Sequence, residues 1–172
     1  MSRTVGMTTT NYVWDVAAGL PVVLQDGENT YVYGLDLISA TDSQGDQTYF
    51  LYDGLGSVTD VTDEGGDVVA SYSYDVFGAI RSVTGSSDNY WLFTGEQSDP
   101  DSGFYFLRAR YYDTDTGRFM GRDPTGAGHP YAYAANNPVI FSDPYGLDVC
   151  STISGSGCST ADAGSGNAGN YE

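Results

Sequence analysis

The chain has 172 residues, with 23 acidic and 6 basic side chains and a formal net charge of −17 at pH 7. All six basic residues are arginines, so no polybasic patch exists that could neutralise phosphates. The sequence therefore predicts no nucleic-acid partner. No apolar run reaches the length of a signal peptide core or a membrane span, and we expect neither a membrane anchor nor membrane insertion.

Aromatic residues and glycines dominate the composition, with 15 Tyr, 7 Phe, 2 Trp and 23 Gly. This mixture is typical of aromatic strands joined by tight turns, and it predicts an all-β fold. A short unit also recurs, in which an aromatic residue, usually followed by Asp, precedes Gly by four or five places. Its aromatic residues stand at positions 14, 33, 52, 74, 91 and 112, a period of about 20 residues. That length fits two strands and two turns, so the prediction is a series of consecutive antiparallel β-hairpins.

Four segments allow a more detailed prediction. Residues 20–35 place Asp26-Gly27 between two apolar strands, and residues 57–75 place Asp63-Glu64-Gly65-Gly66 in the same way. Residues 79–95 are predicted to pair around Gly85. Residues 104–112, FYFLRARYY, are predicted as the longest single strand, on which one face carries Tyr105, Leu107, Ala109 and Tyr111 and the other carries Phe104, Phe106, Arg108 and Arg110.

Two acidic segments, residues 99–103 and 113–117, bracket that strand with the pattern Asp-x-Asp-Ser/Thr-Gly. They are similar to the opening of a calcium loop, but Gly falls one place early and no Glu follows at the required distance. Asp as a turn cap and Gly with positive φ favour hairpin turns. Zinc is not expected either, because His129 is far in sequence from the cysteines. We therefore predict no metal and no other cofactor.

The chemically richest segment is 112–147, which contains the Asp123-Pro124 and Asp143-Pro144 dipeptides and the only histidine, His129. Asp-Pro dipeptides initiate turns, so both aspartates could only punctuate loops. Nearby arginines, namely Arg108, Arg110, Arg118 and Arg122, could then bridge aspartates inside the fold. The other interpretation is catalytic, since of two neighbouring carboxyl groups one retains a proton and the other acts as a base. His129 is interpreted as a loop residue.

These motifs closely resemble those of the Rhs, or YD-repeat, proteins. The resemblance rests on the Tyr-Asp repeats, on TGEQSDPDSGFYFLRARYYDTDTGRFMGRDP and on YAYAANNPVIFSDPYGL, and it covers residues 12–147. It implies an Rhs repeat-associated core domain, in which hairpins form a curled sheet or partial shell that ends in an irregular plug segment. Residues 1–11 would then be an N-terminal extension, and residues 148–172 a Gly/Ser-rich tail.

The resemblance also implies an intramolecular aspartyl protease. Asp123 and Asp143 match the paired aspartates of the family, Arg122 matches the arginine beside the first of them, and the bond to be cut is Leu147–Asp148. The 25 residues that follow are too few and too poor in apolar side chains to form an enzyme. They contain Cys150 and Cys158, which could form a local disulfide in an oxidising compartment.

Two functions from different classes follow. The first, which the sequence favours, is a structural module that associates with itself through open sheet edges. It would be a filament or surface-assembly subunit outside the cell or at its surface. Its partner could instead be the rest of a larger Rhs shell. The second is a self-processing domain that cuts once after Leu147. A third, weaker hypothesis is carbohydrate binding by aromatic stacking.

Overall fold

The computed structural model describes residues 2–17, 21–126, 129–147 and 149–151. Within these ranges the chain forms strands and two short 3₁₀ segments, Phe93–Gly95 and Ala134–Asn136, and no α-helix. The predicted all-β class is therefore confirmed. None of the described helical segments is long and apolar enough to cross a membrane. The chain divides into two compact units, one of residues 1–73 with 80–89 and one of residues 74–79 with 90–172.

The first unit is built on antiparallel strands that follow one another in chain order. Its hairpin at the start of the chain pairs β1 (Ser2–Val5) with β2 (Thr8–Asn11). Eight further strands then form one sheet, in which each strand is the neighbour of the next: β3 (Val13–Asp15), β4 (Val22–Gln25), β5 (Thr30–Tyr33), β6 (Leu37–Thr41), β7 (Gln47–Tyr52), β8 (Val58–Thr62), β9 (Val68–Tyr74) and β10 (Ile80–Gly85). The hairpins predicted at 20–35 and 57–75 are confirmed as β4–β5 and β8–β9.

One turn joins the later strands of this sheet and explains the repeat. It begins at an Asp whose Oδ1 accepts hydrogen bonds from backbone N–H groups further along the turn, as Asp53 does from Leu55 and Ser57 at 2.9 and 2.8 Å. A Gly three residues after the Asp adopts positive φ and donates its N–H to the Asp carbonyl, as at Gly56. The same arrangement recurs at Asp42, Asp63 and Asp75. Two such turns and two strands occupy about 20 residues, which is the predicted period.

The second unit contains a smaller sheet, followed by largely irregular chain. Its four strands are also neighbours in chain order: β11 (Gln97–Ser98), β12 (Tyr105–Leu107), β13 (Arg110–Asp113) and β14 (Arg118–Phe119). A short hairpin pairs β15 (Phe141–Ser142) with β16 (Cys150–Ser151). The core of this unit is aromatic, and its members Phe93, Tyr105, Tyr112, Phe119 and Tyr133 are all at most 3% exposed. The segments at 99–103 and 113–117 are the β11–β12 and β13–β14 turns, as predicted.

The hairpin predicted at 79–95 is wrong in its second half. Strand β10 forms, but it pairs with β9, and Trp91, Leu92 and Phe93 do not form its partner strand. These three consecutive residues are all buried, with 3–6% of their surfaces exposed. A half-exposed strand alternates inward and outward side chains, so it cannot bury three apolar residues in a row. Burial of these three apolar side chains in the core of the second unit therefore overrides strand pairing.

The single strand predicted over 104–112 is also wrong, because the chain reverses in its middle. Arg108 has a φ of 53°, and with Ala109 it forms a two-residue turn that pairs β12 with β13. The reversal shifts the alternation by one residue, so that Arg110 and Tyr112 are buried and Tyr111 is 44% exposed. Positive φ is uncommon for an arginine, and neither Gly nor Asn marks the turn. Contacts with residues 144–146 fix this turn, as described below.

A matched pair of turn glycines gives a test of this fold. Gly45 and Gly78 occupy the same turn position with φ of 94° and 93°. A Cβ added at Gly45 would meet no atom within 4 Å, whereas one added at Gly78 would lie 2.4 Å from the buried Phe93 ring. We expect Gly45→Ala to lower the free energy of unfolding by about 1–2 kcal/mol through backbone strain alone. Gly78→Ala adds overpacking and should cost about 1–3 kcal/mol more. Urea unfolding of both variants measures the difference, and equal losses would contradict the Phe93 contact.

Candidate functional site

Asp123 and Asp143 meet at one buried guanidinium group, that of Arg110. The Oδ2 atoms of the two aspartates lie 3.6 and 3.3 Å from Arg110 Nη2, and all three side chains are at most 6% exposed. Arg110 lies in β13, Asp123 follows β14 and Asp143 follows β15. The fold thus brings together two carboxylates that are 20 positions apart in the sequence.

Each aspartate uses its two oxygens differently. Oδ1 of Asp123 accepts hydrogen bonds from the N–H and the hydroxyl of Thr125, at 2.7 and 2.6 Å. Oδ1 of Asp143 accepts one from the N–H of Leu147 at 2.9 Å, and the Gly146 N–H donates to the Asp143 carbonyl at 3.1 Å. Residues 143–147 therefore form the same Asp-x-x-Gly turn as the repeats. Local turn contacts occupy Oδ1, while Oδ2 faces Arg110.

The backbone that leads to Leu147 is held against the β12–β13 turn by three successive contacts. Arg108 Nη1 donates to the Pro144 carbonyl at 2.7 Å, and the Ala109 N–H donates to the Tyr145 carbonyl at 3.2 Å. Arg110 Nε donates to the Gly146 carbonyl. Three consecutive residues of the turn thus bind three consecutive carbonyls, which fixes the backbone just before the predicted cleavage bond.

Gly146 allows this close approach of two backbones. Its φ is 65°, and an added Cβ would lie 2.5 Å from the Leu107 carbonyl oxygen and 3.1 Å from the Arg110 nitrogen. Any other residue would push residues 144–147 away from the turn. Arg110 itself is held on its other side by the Phe119 ring, whose centroid lies 3.7 Å from the guanidinium carbon, an attractive cation–π contact. The site is therefore rigid on both sides of Arg110.

A third buried carboxyl group, Glu96, lies beside this pair. It is 4% exposed and forms an ion pair with Arg108 Nη1, the same nitrogen that donates to the Pro144 carbonyl. Burial is the main effect that raises the pKa of Glu96 from 4.5 to about 7, and the charge of Asp143 adds to the rise. The Arg108 guanidinium lowers this pKa, but not enough to offset burial. Burial also raises the pKa of Tyr133, whose neighbours include both Glu96 and Asp143.

The other residues predicted for the site are placed as follows. Arg122 is exposed, and the guanidinium that contacts both aspartates is that of Arg110. Leu147 is half-buried and Asp148 lies outside the described residues. His129 is exposed and its Nδ1 accepts a hydrogen bond from the Tyr131 N–H in a turn. Cys150 lies in β16 and Cys158 falls outside the described residues, so the disulfide between them stays a prediction.

Sequence reasoning missed two functional candidates, Arg110 and Glu96. The sequence marks Arg110 only as one of four arginines that could bridge aspartates, and in the structure it contacts two. The available signal was its place in an aromatic strand, where a charged side chain needs a buried partner. Glu96 carried no such signal, since it stands in a loop next to a glycine. In the described ranges no group of three or more His, Cys, Asp or Glu residues is arranged to hold a metal ion.

The raised pKa of Glu96 predicts a specific pH dependence of stability. Between pH 4.5 and 7 the folded chain retains a proton on Glu96 that the unfolded chain has released. The stabilisation is therefore complete below pH 4.5 and is lost as the pH rises through about 7. Glu96→Gln should remove this dependence, which amounts to about 3 kcal/mol at most. Urea unfolding at several pH values measures it, with the exposed Glu64→Gln as the control; parallel curves for Glu96→Gln and the wild type would contradict the assignment.

The fold is similar to that of known proteins. The Teneurin YD-shell family profile matches residues 25–142. The structure is similar to the crystal structure of TcdB2-TccC3, with a TM-score of 0.64 and 19% identity, over 85% of this chain and 8% of that one. It is also similar to a Photorhabdus luminescens Tc holotoxin pore, with a TM-score of 0.61 and 19% identity, over 81% of this chain and 7% of that one. At this identity the likeness shows the fold alone.

Several curated relatives share sequence with nearly the whole chain. The tRNA3(Ser)-specific nuclease WapA of Bacillus spizizenii is 32% identical over 162 residues, which are 85% of this chain and 7% of that protein. The double-stranded DNA deaminase toxin A of Burkholderia cenocepacia is 29% identical over 81% of this chain and 12% of its own length. The chain thus spans only a small part of each relative. The family profile and the 32% identity over most of the chain show that this protein belongs to the YD-shell family of Rhs-type, toxin-related proteins.

Proposed function

We propose that this domain hydrolyses its own chain between Leu147 and Asp148, with Asp123 and Asp143 as the acid–base pair. The observation that carries the proposal is the convergence of both carboxylates on Arg110, which also binds the Gly146 carbonyl one residue before Leu147. Turn formation alone would not require this convergence, because the equivalent aspartates of the repeats cap turns without it. Asp143 also contacts the Leu147 N–H, so its carboxylate lies at the residue whose carbonyl would be attacked.

The chemistry needs one proton on the pair. One carboxylate takes a proton from water as the water oxygen attacks the Leu147 carbonyl carbon, and the other carboxyl group gives its proton to the carbonyl oxygen. The tetrahedral intermediate then collapses: the C–N bond breaks, the proton held by the base passes to the leaving Asp148 nitrogen, and one hydroxyl proton of the intermediate returns to the carboxylate that acted as the acid. Arg110 contacts both carboxyl groups and offsets one negative charge of the pair.

Intact-mass analysis of the purified chain tests the proposal. We expect the wild type to yield fragments 1–147 and 148–172, and Asp123→Asn or Asp143→Asn to slow cleavage at least about a hundredfold, since each removes half of the acid–base pair. Asp99→Asn is the matched control, because Asp99-Pro100 is a third Asp-Pro dipeptide and lies in the β11–β12 turn. A wild-type chain that keeps its full mass, or Asn variants that cut at the wild-type rate, would contradict the proposal.

The same assay distinguishes the roles of Arg110 and Arg122 in cleavage. Arg110→Lys keeps one positive charge but cannot bind two carboxylates and the Gly146 carbonyl together, so we expect its cleavage to be strongly impaired. Because Arg122 is exposed, we expect the Arg122→Lys variant to be cleaved at the wild-type rate. Because Arg110 is buried between two carboxylates, urea unfolding of both variants accompanies the assay, to confirm that Arg110→Lys remains folded.

The structural function remains a second proposal, and one observation supports it. Strand β10 is an edge strand of the eight-stranded sheet, and all six of its residues are exposed, including Ile80 and Val83 at 45% and 52%. An exposed apolar edge can add a strand from another chain. The partner would be a second copy, in filaments or a surface assembly outside the cell, or the rest of a larger Rhs shell. Carbohydrate binding by aromatic stacking stays a sequence-based hypothesis.

A charge placed in β10 tests self-association. We expect the wild-type chain to form concentration-dependent assemblies, visible by light scattering and electron microscopy, and Val83→Lys to reduce them, because lysine on an edge opposes strand addition. Leu35→Lys is the control, since Leu35 is fully exposed in the β5–β6 turn. A wild-type chain that stays monomeric at all concentrations would rule out self-association through this edge, whatever the outcome of the cleavage assay.

A further inference from the structure

Glu96 is neither the acid nor the base in the chemistry described above, yet it is a buried carboxyl group beside the site with a raised pKa. It follows the 3₁₀ segment Phe93–Gly95, and its backbone is fixed on both sides: the Leu92 N–H donates to its carbonyl, and its own N–H donates to the Phe93 carbonyl, each at 3.1 Å. Because Phe93 is 3% exposed in the aromatic core, the Glu96 side chain starts from a rigid position. A rigid buried carboxylate can orient a partner with little loss of entropy.

That partner is Arg108, in the β12–β13 turn. Arg108 Nη1 contacts both Glu96 Oε2 and, at 2.7 Å, the Pro144 carbonyl. Glu96 supplies a negative charge that holds this guanidinium over Pro144, although the Arg108 side chain is 19% exposed and could otherwise turn to solvent. The chain Glu96–Arg108–Pro144 therefore connects the core of the unit to the first of the three carbonyls bound before Leu147.

We propose that Glu96 is a positioning residue for the cleavage after Leu147, acting through the Arg108 guanidinium that it holds on the Pro144 carbonyl. This inference rests on the proposed self-cleavage and adds a residue to it. Glu96 touches neither the reacting bond nor the Asp123–Asp143 pair directly. Its effect is to keep residues 144–147 seated on the turn, so that the Leu147 carbonyl remains in place for attack.

The ionisation of Glu96 gives the proposal a distinctive signature. The groups that face its carboxyl are Arg108 from the β12–β13 turn, Asp143 after β15 and Tyr133 before the second 3₁₀ segment. Of these only Arg108 is attracted to a negative Glu96. Protonation of Glu96, whose pKa burial raises to about 7, removes that attraction and frees Arg108 from its place on Pro144. The cleavage rate should therefore rise with pH through about 7.

The test compares cleavage rates of the full chain, by intact mass, for the wild type, Glu96→Gln and the control Glu64→Gln over a range of pH. Gln keeps the size of Glu and one acceptor but lacks the charge. We expect Glu96→Gln to cut at least about tenfold more slowly at pH 8, which corresponds to the loss of one charge-assisted hydrogen bond, and to lack the rise near pH 7. Glu64→Gln should keep both the rate and the rise.

Each other outcome contradicts the inference in a recognisable way. If Glu96→Gln cuts with the wild-type rate and pH profile while Asp143→Asn does not cut, the positioning role fails and the proposed function survives. If Glu96→Gln is slow but keeps the rise near pH 7, and its urea midpoint is lowered, Glu96 is only a structural residue. A wild-type chain that never cuts overturns the proposed function and the positioning role together.

Discussion

The second unit depends on one buried ionic contact, the guanidinium of Arg110 between Asp123 and Asp143. Taking charged groups out of water costs several kcal/mol per ion, and only their mutual attraction and complete hydrogen bonding recover it. Arg110 meets this requirement: besides the two carboxylates it binds the Pro130 and Gly146 carbonyls, and Phe119 covers its face. One side chain of β13 thereby fastens the segments that follow β14 and β15. Without Arg110, these two segments would lose their shared contact with β13.

The same local turn serves two purposes in this fold. In the repeats, an Asp caps its own turn through Oδ1 and the strands on either side pair with each other, as at Asp53 and Asp63. At residues 143–147 the turn geometry is unchanged, but the turn lies against the backbone of Leu107–Arg110 and its Asp is 2% exposed. Burial changes the role of the second oxygen, which has solvent around it in an exposed turn and a guanidinium in a buried one. The site thus arises from where the turn is placed, with no change in the turn itself.

The difference between a local turn and the distant contacts around it explains which features the sequence could predict. Asp-Gly signals and alternating apolar residues are local, so they correctly predicted the β4–β5 and β8–β9 hairpins and the turns at 99–103 and 113–117. The reversal at Arg108-Ala109 has no local signal, because residues 144–146 stabilise it from 36 positions away. Missing that turn displaced Arg110 to the wrong face of a strand, whereas the role predicted for Arg122 rests on its match to the family motif. The burial of Trp91–Phe93 was missed for the same reason, since the core that receives them assembles from distant aromatic residues.

The arrangement of contacts also determines how often the proposed reaction can occur. In the described part of the chain, the hydrogen bonds that seat the segment at the site run from residues 108–110 to residues 144–146 and between Asp143 and Leu147, and they join groups on the N-terminal side of the Leu147–Asp148 bond. Cleavage would break none of them, so the new carboxyl terminus would stay at the aspartate pair and exclude another peptide. On the other side of the bond, Cys150 and Ser151 pair with Ser142 and Phe141. Two residue pairs are a weak attachment compared with the contacts that hold residues 143–147. A site built from its own substrate in this way would act once per chain under the proposed mechanism, and the product that could leave would be the downstream segment.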